Sequence, residues 1–215
     1  MFDLDQTIKD RHSTRKFLSQ PVPRALLDEA LTLAQLAPSN SNIQPWRLVF
    51  AQGGCRDRLQ EALLNQAKQQ PNVSPLPSAF QHYRQELGAQ VYGAMGITRD
   101  DKANRQLAVL RNYEFFGAPM VAIVCMHQDL GVADALSVGM YLQTLVLSLT
   151  ARGIGTCVEV SLATYSEIIR NELNISPELL IICGLAVGYP DPDFPANHLH
   201  ISRESVEKNV SFQGD

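Results

Sequence analysis

The sequence predicts an α+β domain in which helices cover both faces of a mixed β-sheet. Four apolar runs rich in β-branched residues alternate with longer segments whose apolar residues recur every three or four positions. This alternation is typical of a layered domain with a sheet at its centre. A chain of 215 residues is within the size range of one domain, and no linker or internal repeat divides it. We therefore expect a single domain over residues 1–215.

The ends of the first two helices are marked by their capping residues. Asp3 is a good N-cap, with a glutamine three residues later, so the first helix should begin there and end near Arg11. Pro23 fits the first turn of a second helix, which Pro38 stops. The loop over 38–45 should therefore lie at a helix C-terminus. The apolar stripe of the second helix consists of Leu26, Leu27, Ala30, Leu31 and Ala34.

A strand–turn–helix unit and a loop come next. Residues 46–51 (WRLVFA) are predicted to form a strand, Gly53-Gly54 a turn and 56–68 a surface helix. Residues 70–78 contain three prolines and few apolar anchors, which predicts a mobile loop of the kind that shapes substrate access. The inward residues of the surface helix should be Leu59, Ala62 and Leu63.

The remaining strands and helices lie in the second half of the chain. Helical patterns run from 79 to about 116, with a break near Gly96. The segment 132–150 is apolar on nearly every side, but Asp134 and Gln143 interrupt it, which predicts a helix buried all round rather than a membrane span. The other elements are predicted strands over 119–126, 156–160 and 179–187, and a predicted helix over 165–173.

The C-terminal segment has a different character. Pro190, Pro192 and Pro195 prevent a continuous helix, so residues 188–215 are expected to form an extended arm that lies on another surface.

Composition and charge argue against several classes of function. The net charge of −4 offers no broad basic surface for nucleic acid. The four cysteines form no CxxC pair, and three lie in apolar runs, so neither a metal site nor a disulfide framework is predicted. The first residues, MFDLDQ, are acidic and are not followed by the apolar segment of a signal peptide. The predicted location is the cytoplasm, with no membrane partner.

The run Arg11-His12-Ser13-Thr14-Arg15 concentrates positive charge. If this segment is extended, Arg11, Ser13 and Arg15 share one side, and if it is helical the two arginines still meet at i and i+4. Planar guanidinium groups with a hydroxyl donor suit a phosphate monoester. The alternative is a solvated basic patch after a helix end, where cations favour the helix dipole.

A second run, PSNSNIQPW over 38–46, supplies small amide and hydroxyl groups before a proline and the only tryptophan. Such groups suit the polar edge of a flat heterocycle. Alone this run is ordinary turn chemistry. Only its combination with the arginine cluster indicates a binding site.

Together these motifs resemble the FMN-dependent nitroreductase family. RHSTRKF over 11–17 is similar to the family's Arg-x-Ser-x-Arg signature, and APSNSNIQPW over 37–46 is similar to its Pro-Ser-x-x-Asn-x-Gln-Pro-Trp signature. Further similar blocks follow in family order, namely FFGAP over 115–119, RGIGTC over 152–157 and VGYPDPDFPANHLHISRESVEKNV over 187–210. The blocks span nearly the whole chain and most resemble the nitrobenzoate-reductase-like branch.

The resemblance implies a three-layer α/β/α sandwich whose mixed central sheet is mainly antiparallel. It also implies a homodimer in which the long helix 132–150 forms much of the interface and the arm 188–215 packs on the partner subunit. One FMN would lie at each interface site, with NADH or NADPH as the reductant.

The resemblance also assigns the FMN contacts. Arg11 and Ser13 would face the phosphate and ribityl chain, with His12 beside them, and Arg15 would approach the pyrimidine edge of the ring. A fixed cation there stabilises the negative charge that reduction leaves near N1 and O2, so Arg15 would favour hydride acceptance. The partner subunit would contribute Pro38, Ser39, Asn40 and Asn42.

Two further groups of positions match the family less closely. Backbone amides after the turn 153–155 would lie by flavin N5, but the glycine that usually follows this strand is absent, which leaves the side-chain roles open. The turn lacks a third glycine and follows a helix, so no Rossmann site is predicted. The amide positions are Val158, Glu159, Val160 and Ser161.

Near the C-terminus the family commonly carries two basic residues, separated by one position, that complete the phosphate-binding site. The matching residues are His198 and His200, with Arg203 close behind. A histidine grip would weaken as the pH rises through about 6.5, or Arg203 would take its place. The alternative is two exposed histidines on an arm.

The implied function is an oxidoreductase that takes hydride from NAD(P)H and reduces nitroaromatic or similar electron-poor compounds by a ping-pong mechanism. The chemistry would occur on the flavin, so no side-chain nucleophile is required. Three alternatives stay open at this stage: an enone or quinone reductase of the same fold, a flavin-binding redox module without efficient turnover, and a dimeric scaffold with no cofactor.

Overall fold

The computed structural model describes residues 3–71 and 75–214 and has a four-stranded sheet with helices on both faces. The strand order is β1-β2-β4-β3, and every neighbouring pair of these strands is antiparallel. The parallel part of the expected mixed sheet is one bridge between Ser13 and Thr156. The α+β class is therefore confirmed. The strands are β1 Arg47–Gln52, β2 Met120–His127, β3 Gly155–Glu159 and β4 Leu179–Gly188.

The helices agree closely with the sequence patterns. Asp3 caps the first helix by accepting a hydrogen bond from the Gln6 amide at 3.2 Å, and Arg11 is its C-cap. The break near Gly96 separates two helices, as expected. The α-helices of the described residues are α1 Leu4–Asp10, α2 Arg24–Ala34, α3 Gly53–Gln69, α4 Gln81–Ala94, α5 Lys102–Leu110, α6 Val132–Thr150, α7 Ser166–Leu173 and α8 Val206–Asn209.

β2 divides the core into two layers. Side chains alternate across a strand, so Val121 and Ile123 pack with α3 and α7, while Ala122 and Val124 pack with α2 and α6. Both sets are fully buried, which explains why β2 is a continuous apolar run rather than an alternating one.

The prediction of a separate turn at Gly53-Gly54 is wrong. β1 ends at Gln52, and α3 begins at Gly53 without an intervening turn. Gly53 has φ +54°, which glycine adopts at little cost, so one residue makes the change of direction that was assigned to a separate turn. The mobile loop predicted over 70–78 falls partly on residues 72–74, which lie outside the described residues.

Helix α6 has the predicted bounds, and its length and composition would also allow it to cross a membrane. Tyr141, Leu145 and Leu149 are buried against α2 and the sheet. Within one chain α6 is not buried on all sides, because Val132 is 90% exposed and Leu136 is 66% exposed. The expected burial of this face at a dimer interface stays a prediction.

The C-terminal arm begins on its own chain. Phe17 forms an antiparallel bridge with Pro190, and the Asp191 amide donates to the Lys16 carbonyl at 3.0 Å. The arm is not extended throughout, because residues 195–198 form a 3₁₀ turn and α8 follows. Further along, the Tyr83 hydroxyl of α4 donates to Glu204 Oε1 at 2.7 Å. The expected packing of the arm on a partner stays a prediction.

Candidate functional site

A cavity of about 870 Å³ lies between the last turn of α1, the N-terminal segment that follows it, and the arm. Its volume is within the range of cavities that bind cofactors and other small molecules. One residue of α4, Leu87, also lines it. The predicted site residues that it brings together are Arg11, His12, Ser13, Arg15, His198, His200 and Arg203.

The N-terminal segment is extended, which decides between the two geometries that the sequence left open. Ser13 is bridged to Thr156, and the Thr14 amide donates to the Thr156 carbonyl at 2.9 Å. Thr14 is fully buried, whereas Arg11, Ser13 and Arg15 line the cavity. The extended segment therefore brings both arginines and the serine to the same cavity, and His12 lines it as well.

Arg15 is held on three sides. Its Nη1 donates to the Ser13 carbonyl at 3.1 Å, its amide donates to Asn197 Oδ1 at 2.6 Å, and its carbonyl accepts from Arg111 Nη2 at 2.7 Å. Burial lowers the pKa of Arg15, but an arginine stays charged at neutral pH. A partly buried, fixed cation acts on a neighbouring ligand more strongly than a solvated one.

His12 also presents a polar atom without a partner. Its Nδ1 lies 2.8 Å from the Asp10 carbonyl, which can only accept, so Nδ1 carries the proton in this contact. Its Nε2 is buried and has no hydrogen-bond partner in the part of the chain that the structure describes. An unpartnered buried atom of this kind lacks a hydrogen bond that a bound group would supply.

The three C-terminal candidates all reach the cavity and are all exposed. His198 Nε2 is 2.7 Å from the Pro192 carbonyl, which orients its ring. Arg203 Nη1 donates to the carbonyls of Ile201 and Ser202 at 2.7 and 3.1 Å. The arm thus adds basic groups to the side of the cavity opposite the N-terminal segment.

The beginning of β3 lies beside the N-terminal segment through the Ser13–Thr156 bridge, and residues 158–161 at and after its end do not line the cavity. The side chains of Val158 and Val160 are exposed, whereas Glu159 is only 2% exposed. Burial raises the pKa of Glu159 well above its usual range, which favours the protonated carboxyl. Both carboxyl oxygens, and the buried Ser161 hydroxyl, have no partner among the described residues.

The loop over 38–45, called the polar loop below, does not line this cavity in its own chain. The Asn40 amide donates to Ser137 Oγ of α6 at 3.2 Å, and Ser39 Oγ accepts from the Gln44 amide at 3.1 Å. Ser41, Asn42 and Gln44 have φ values of 48°, 55° and 48°, in the left-handed region that non-glycine residues rarely adopt. Such backbone strain is concentrated at functional sites. Pro38, Ser39, Asn40 and Asn42 are placed together but not at the cavity of their own chain.

Sequence reasoning missed two residues of the site, Asn197 and Arg111. Asn197 lines the cavity and is 5% exposed. Its position next to His198 is the only local signal, since asparagine in a proline-rich segment normally indicates a turn. Arg111 is 96 residues from Arg15 in the sequence, and no local pattern connects the two.

By its fold and its cavity, the protein is an α+β domain with a basic, cofactor-sized cavity beside the sheet. The class becomes specific through comparison with known proteins. The chain belongs to the Nitroreductase family, whose model matches residues 8–189. The family predicted from the motifs is therefore confirmed.

Curated relatives and solved structures agree with this assignment. The chain is 33% identical over 219 residues to a 4-nitrobenzoate reductase of Pseudomonas putida, covering 99% of this chain and 96% of the relative. It is 32% identical over 222 residues to a nitrobenzene nitroreductase of Ectopseudomonas oleovorans, covering 97% and 96%.

The structural neighbours match along the full length. The FMN and NADPH-dependent nitroreductase NfnB from Sphigopyxis sp. strain HMH matches with a TM-score of 0.94 at 30% identity, covering 99% of this chain and 100% of the other. The FMN-dependent nitroreductase NfnB from Mycobacterium smegmatis, solved in complex with NADPH, matches with a TM-score of 0.89 at 33% identity and the same coverage. The predicted nitroreductase-like fold is confirmed.

Proposed function

We propose that this chain is an FMN-dependent oxidoreductase that takes hydride from NADH or NADPH and reduces nitroaromatic or similar electron-poor compounds by a ping-pong mechanism. The observation that carries the proposal is the cavity in which Arg11, Ser13 and Arg15 face the basic residues of the arm. Membership of the Nitroreductase family supports the reaction class.

The residues at the cavity fit FMN. Two guanidinium groups and a hydroxyl suit a phosphate that carries about −1.5 to −2 charges at neutral pH. The buried and unpartnered His12 Nε2 offers a further polar contact. The fixed charge of Arg15 suits the edge of a ring that becomes more negative on reduction.

Each residue of the proposed site then has a defined role. Arg11, His12 and Ser13 bind the phosphate and ribityl chain, and His198, His200 or Arg203 completes the grip from the arm. When bound, FMN supplies the two-electron chemistry. Arg15 would stabilise the negative charge that the ring gains on reduction. The backbone of 158–161 is proposed for the reactive edge only from the family resemblance, since these residues do not line the cavity of one chain.

The proposed active unit is a homodimer. Leu4 and Ile8 of α1 are 62% and 50% exposed, and they lie on the helix that packs beside α6. Val132 and Leu136 of α6 are exposed as well, and we propose that a second copy covers these four apolar side chains. The polar loop contacts the same helix through Ser137, so the partner's loop, including Pro38, Ser39, Asn40 and Asn42, would complete the cavity.

We also propose a cytoplasmic location with a small-molecule acceptor. Cys125, Cys157 and Cys183 are buried free thiols, as expected in a reducing compartment. Burial raises the pKa of Cys125 to about 11 and that of Cys183 to about 12, so both stay protonated and unreactive.

The proposal is tested by purifying the chain, adding FMN and titrating the complex anaerobically with NADH and with NADPH. We expect FMN fluorescence to be quenched, the flavin absorbance to bleach with one equivalent of nicotinamide, and the colour to return on adding a nitroaromatic. A panel of nitroaromatics, quinones and enones identifies the preferred acceptor. Failure to bind FMN contradicts the proposal, and binding without reduction by either nicotinamide supports the redox module instead.

A further inference from the structure

Asn197 links the arm to the N-terminal segment through every polar atom of its side chain. Its Oδ1 accepts from the Arg15 amide at 2.6 Å, and its Nδ2 donates to the carbonyls of Lys16 and Asp191 at 2.9 and 3.0 Å. The first of these contacts joins residues that are 182 positions apart. A buried asparagine with one acceptor bond and two donor bonds is specific for that side chain, because neither aspartate nor leucine offers both kinds of group.

Arg111 binds the backbone of Arg15 on the other side. Its Nη2 donates to the Arg15 carbonyl at 2.7 Å, and its guanidinium lies 4.7 Å from the centre of the Phe194 ring. Phe194 is the N-cap of the turn that carries Asn197. Both the amide and the carbonyl of Arg15 are therefore bound by side chains that belong to one packed unit.

This arrangement fixes the direction in which the Arg15 side chain leaves the backbone. The backbone amide and carbonyl cannot rotate without breaking a bond to Asn197 or Arg111, and Nη1 is tied to the Ser13 carbonyl. A charged group that is already oriented stabilises a developing charge without the cost of reorganisation.

We propose that Asn197 is a positioning residue that, together with Arg111, aims the guanidinium of Arg15 at the redox-active ring and thereby favours the reduced over the oxidised cofactor. This inference rests on the proposed function. It assigns a role in the redox balance to a residue whose three side-chain hydrogen bonds all join backbone atoms.

A purely structural tie between the arm and the N-terminal segment has a different consequence. Loosening such a tie weakens binding of oxidised and reduced FMN to the same extent. Misplacing the Arg15 cation weakens binding of the reduced form more, because reduction adds the negative charge that the cation stabilises. The ratio of the two affinities therefore separates the two roles.

The test compares Asn197→Leu with the double variant Lys16→Gln/Asp191→Asn. The control removes the Lys16–Asp191 ion pair, at 3.0 Å, between the same two segments, and it leaves the net charge unchanged. Titration of FMN fluorescence gives the affinity for the oxidised form. The midpoint potential of the bound flavin, measured anaerobically against reference dyes, then gives the affinity for the reduced form.

We expect Asn197→Leu to weaken binding of reduced FMN about tenfold more than binding of oxidised FMN, because a misplaced Arg15 cation no longer stabilises the negative charge that reduction adds. The midpoint potential should become more negative, and the control should leave the ratio unchanged. In an Arg15→Met background Asn197→Leu should not change the ratio further, because Asn197 acts through Arg15.

Three results overturn the inference: equal weakening of both forms, the same change of ratio in the control, or a further change of ratio without Arg15. If Asn197→Leu does not fold, the same comparison is made with Asn197→Ser, which keeps a small polar group. Failure of the proposed function looks different, since the wild-type chain would then not bind FMN or not accept hydride.

Discussion

The Thr14 amide donates to the Thr156 carbonyl, and this contact fastens the N-terminal segment to β3. Gly155 makes the approach possible. A Cβ atom at Gly155 would lie 2.5 Å from Thr14 Oγ1 and 2.8 Å from Pro190 Cγ. Three segments that are distant in sequence therefore meet where only glycine fits, and the candidate cavity lies beside this junction.

Gly155→Ala should separate these three segments. We expect the free energy of unfolding to fall by about 1–3 kcal/mol, the usual cost of overpacking, and FMN affinity to fall with it because Ser13 and Arg15 shift. Denaturant unfolding and FMN fluorescence measure the two effects. The matched control is Gly93→Ala on α4, where an added Cβ meets nothing within 4 Å. An unchanged melting temperature in Gly155→Ala contradicts the close packing.

Arg15→Met should weaken FMN binding and make the flavin harder to reduce. A hydrogen bond to a charged group contributes about 1.5–3 kcal/mol, which corresponds to a loss of affinity of about 10- to 150-fold. Spectroscopic titration and the midpoint potential measure both effects. Arg24→Met is the matched control, because Arg24 lies on α2 with an 81% exposed side chain. Equal FMN affinity in the two variants would show that Arg15 does not contribute to FMN binding.

Glu159→Gln should change the dependence of stability on pH. Burial raises the pKa of Glu159 in the folded chain, so the folded state keeps a proton that the unfolded state releases above pH 4.3. Stability is therefore lost as the pH rises from that value toward the folded pKa, by up to about 1.4 kcal/mol per pH unit. The glutamine variant lacks this loss.

The measurement is denaturant unfolding of FMN-free protein between pH 4 and pH 8. We expect the stability of Glu159→Gln relative to wild type to increase across this range and to be smallest at pH 4. Glu61→Gln, at an exposed position of α3, should follow the wild-type curve. Parallel curves for wild type and Glu159→Gln would show that Glu159 is ionised in the folded chain.

Leu136→Asp should convert the proposed dimer into monomers, because a charge would replace an exposed apolar side chain that we propose a second copy covers. Sedimentation velocity measures the change, and FMN affinity should fall because the polar loop of the partner is lost. Leu33→Asp is the control, since Leu33 is 43% exposed on α2, outside the surface that we propose to be covered. A wild-type chain that sediments as a monomer rules out the proposed dimer.

Local signals predicted the elements well. The capping aspartate of α1, the bounds of α6 and the continuous apolar run of β2 are determined by residues within a few positions of one another. The same holds for the extended arginine run, whose alternation was one of two predicted geometries. The start of α3 was missed because a single glycine with positive φ replaced a separate turn.

By itself, the sequence determined the α+β class, the bounds of most elements, the family and the arginines that face the cavity, because each depends on neighbouring residues or on motifs in order along the chain. Only the tertiary structure decided the strand order, the beginning of the arm on its own chain, and the hold of Asn197 and Arg111 on Arg15. The two contacts to Arg15 join positions that are 96 and 182 residues apart. Packing selects such contacts, and no local pattern in the chain records them.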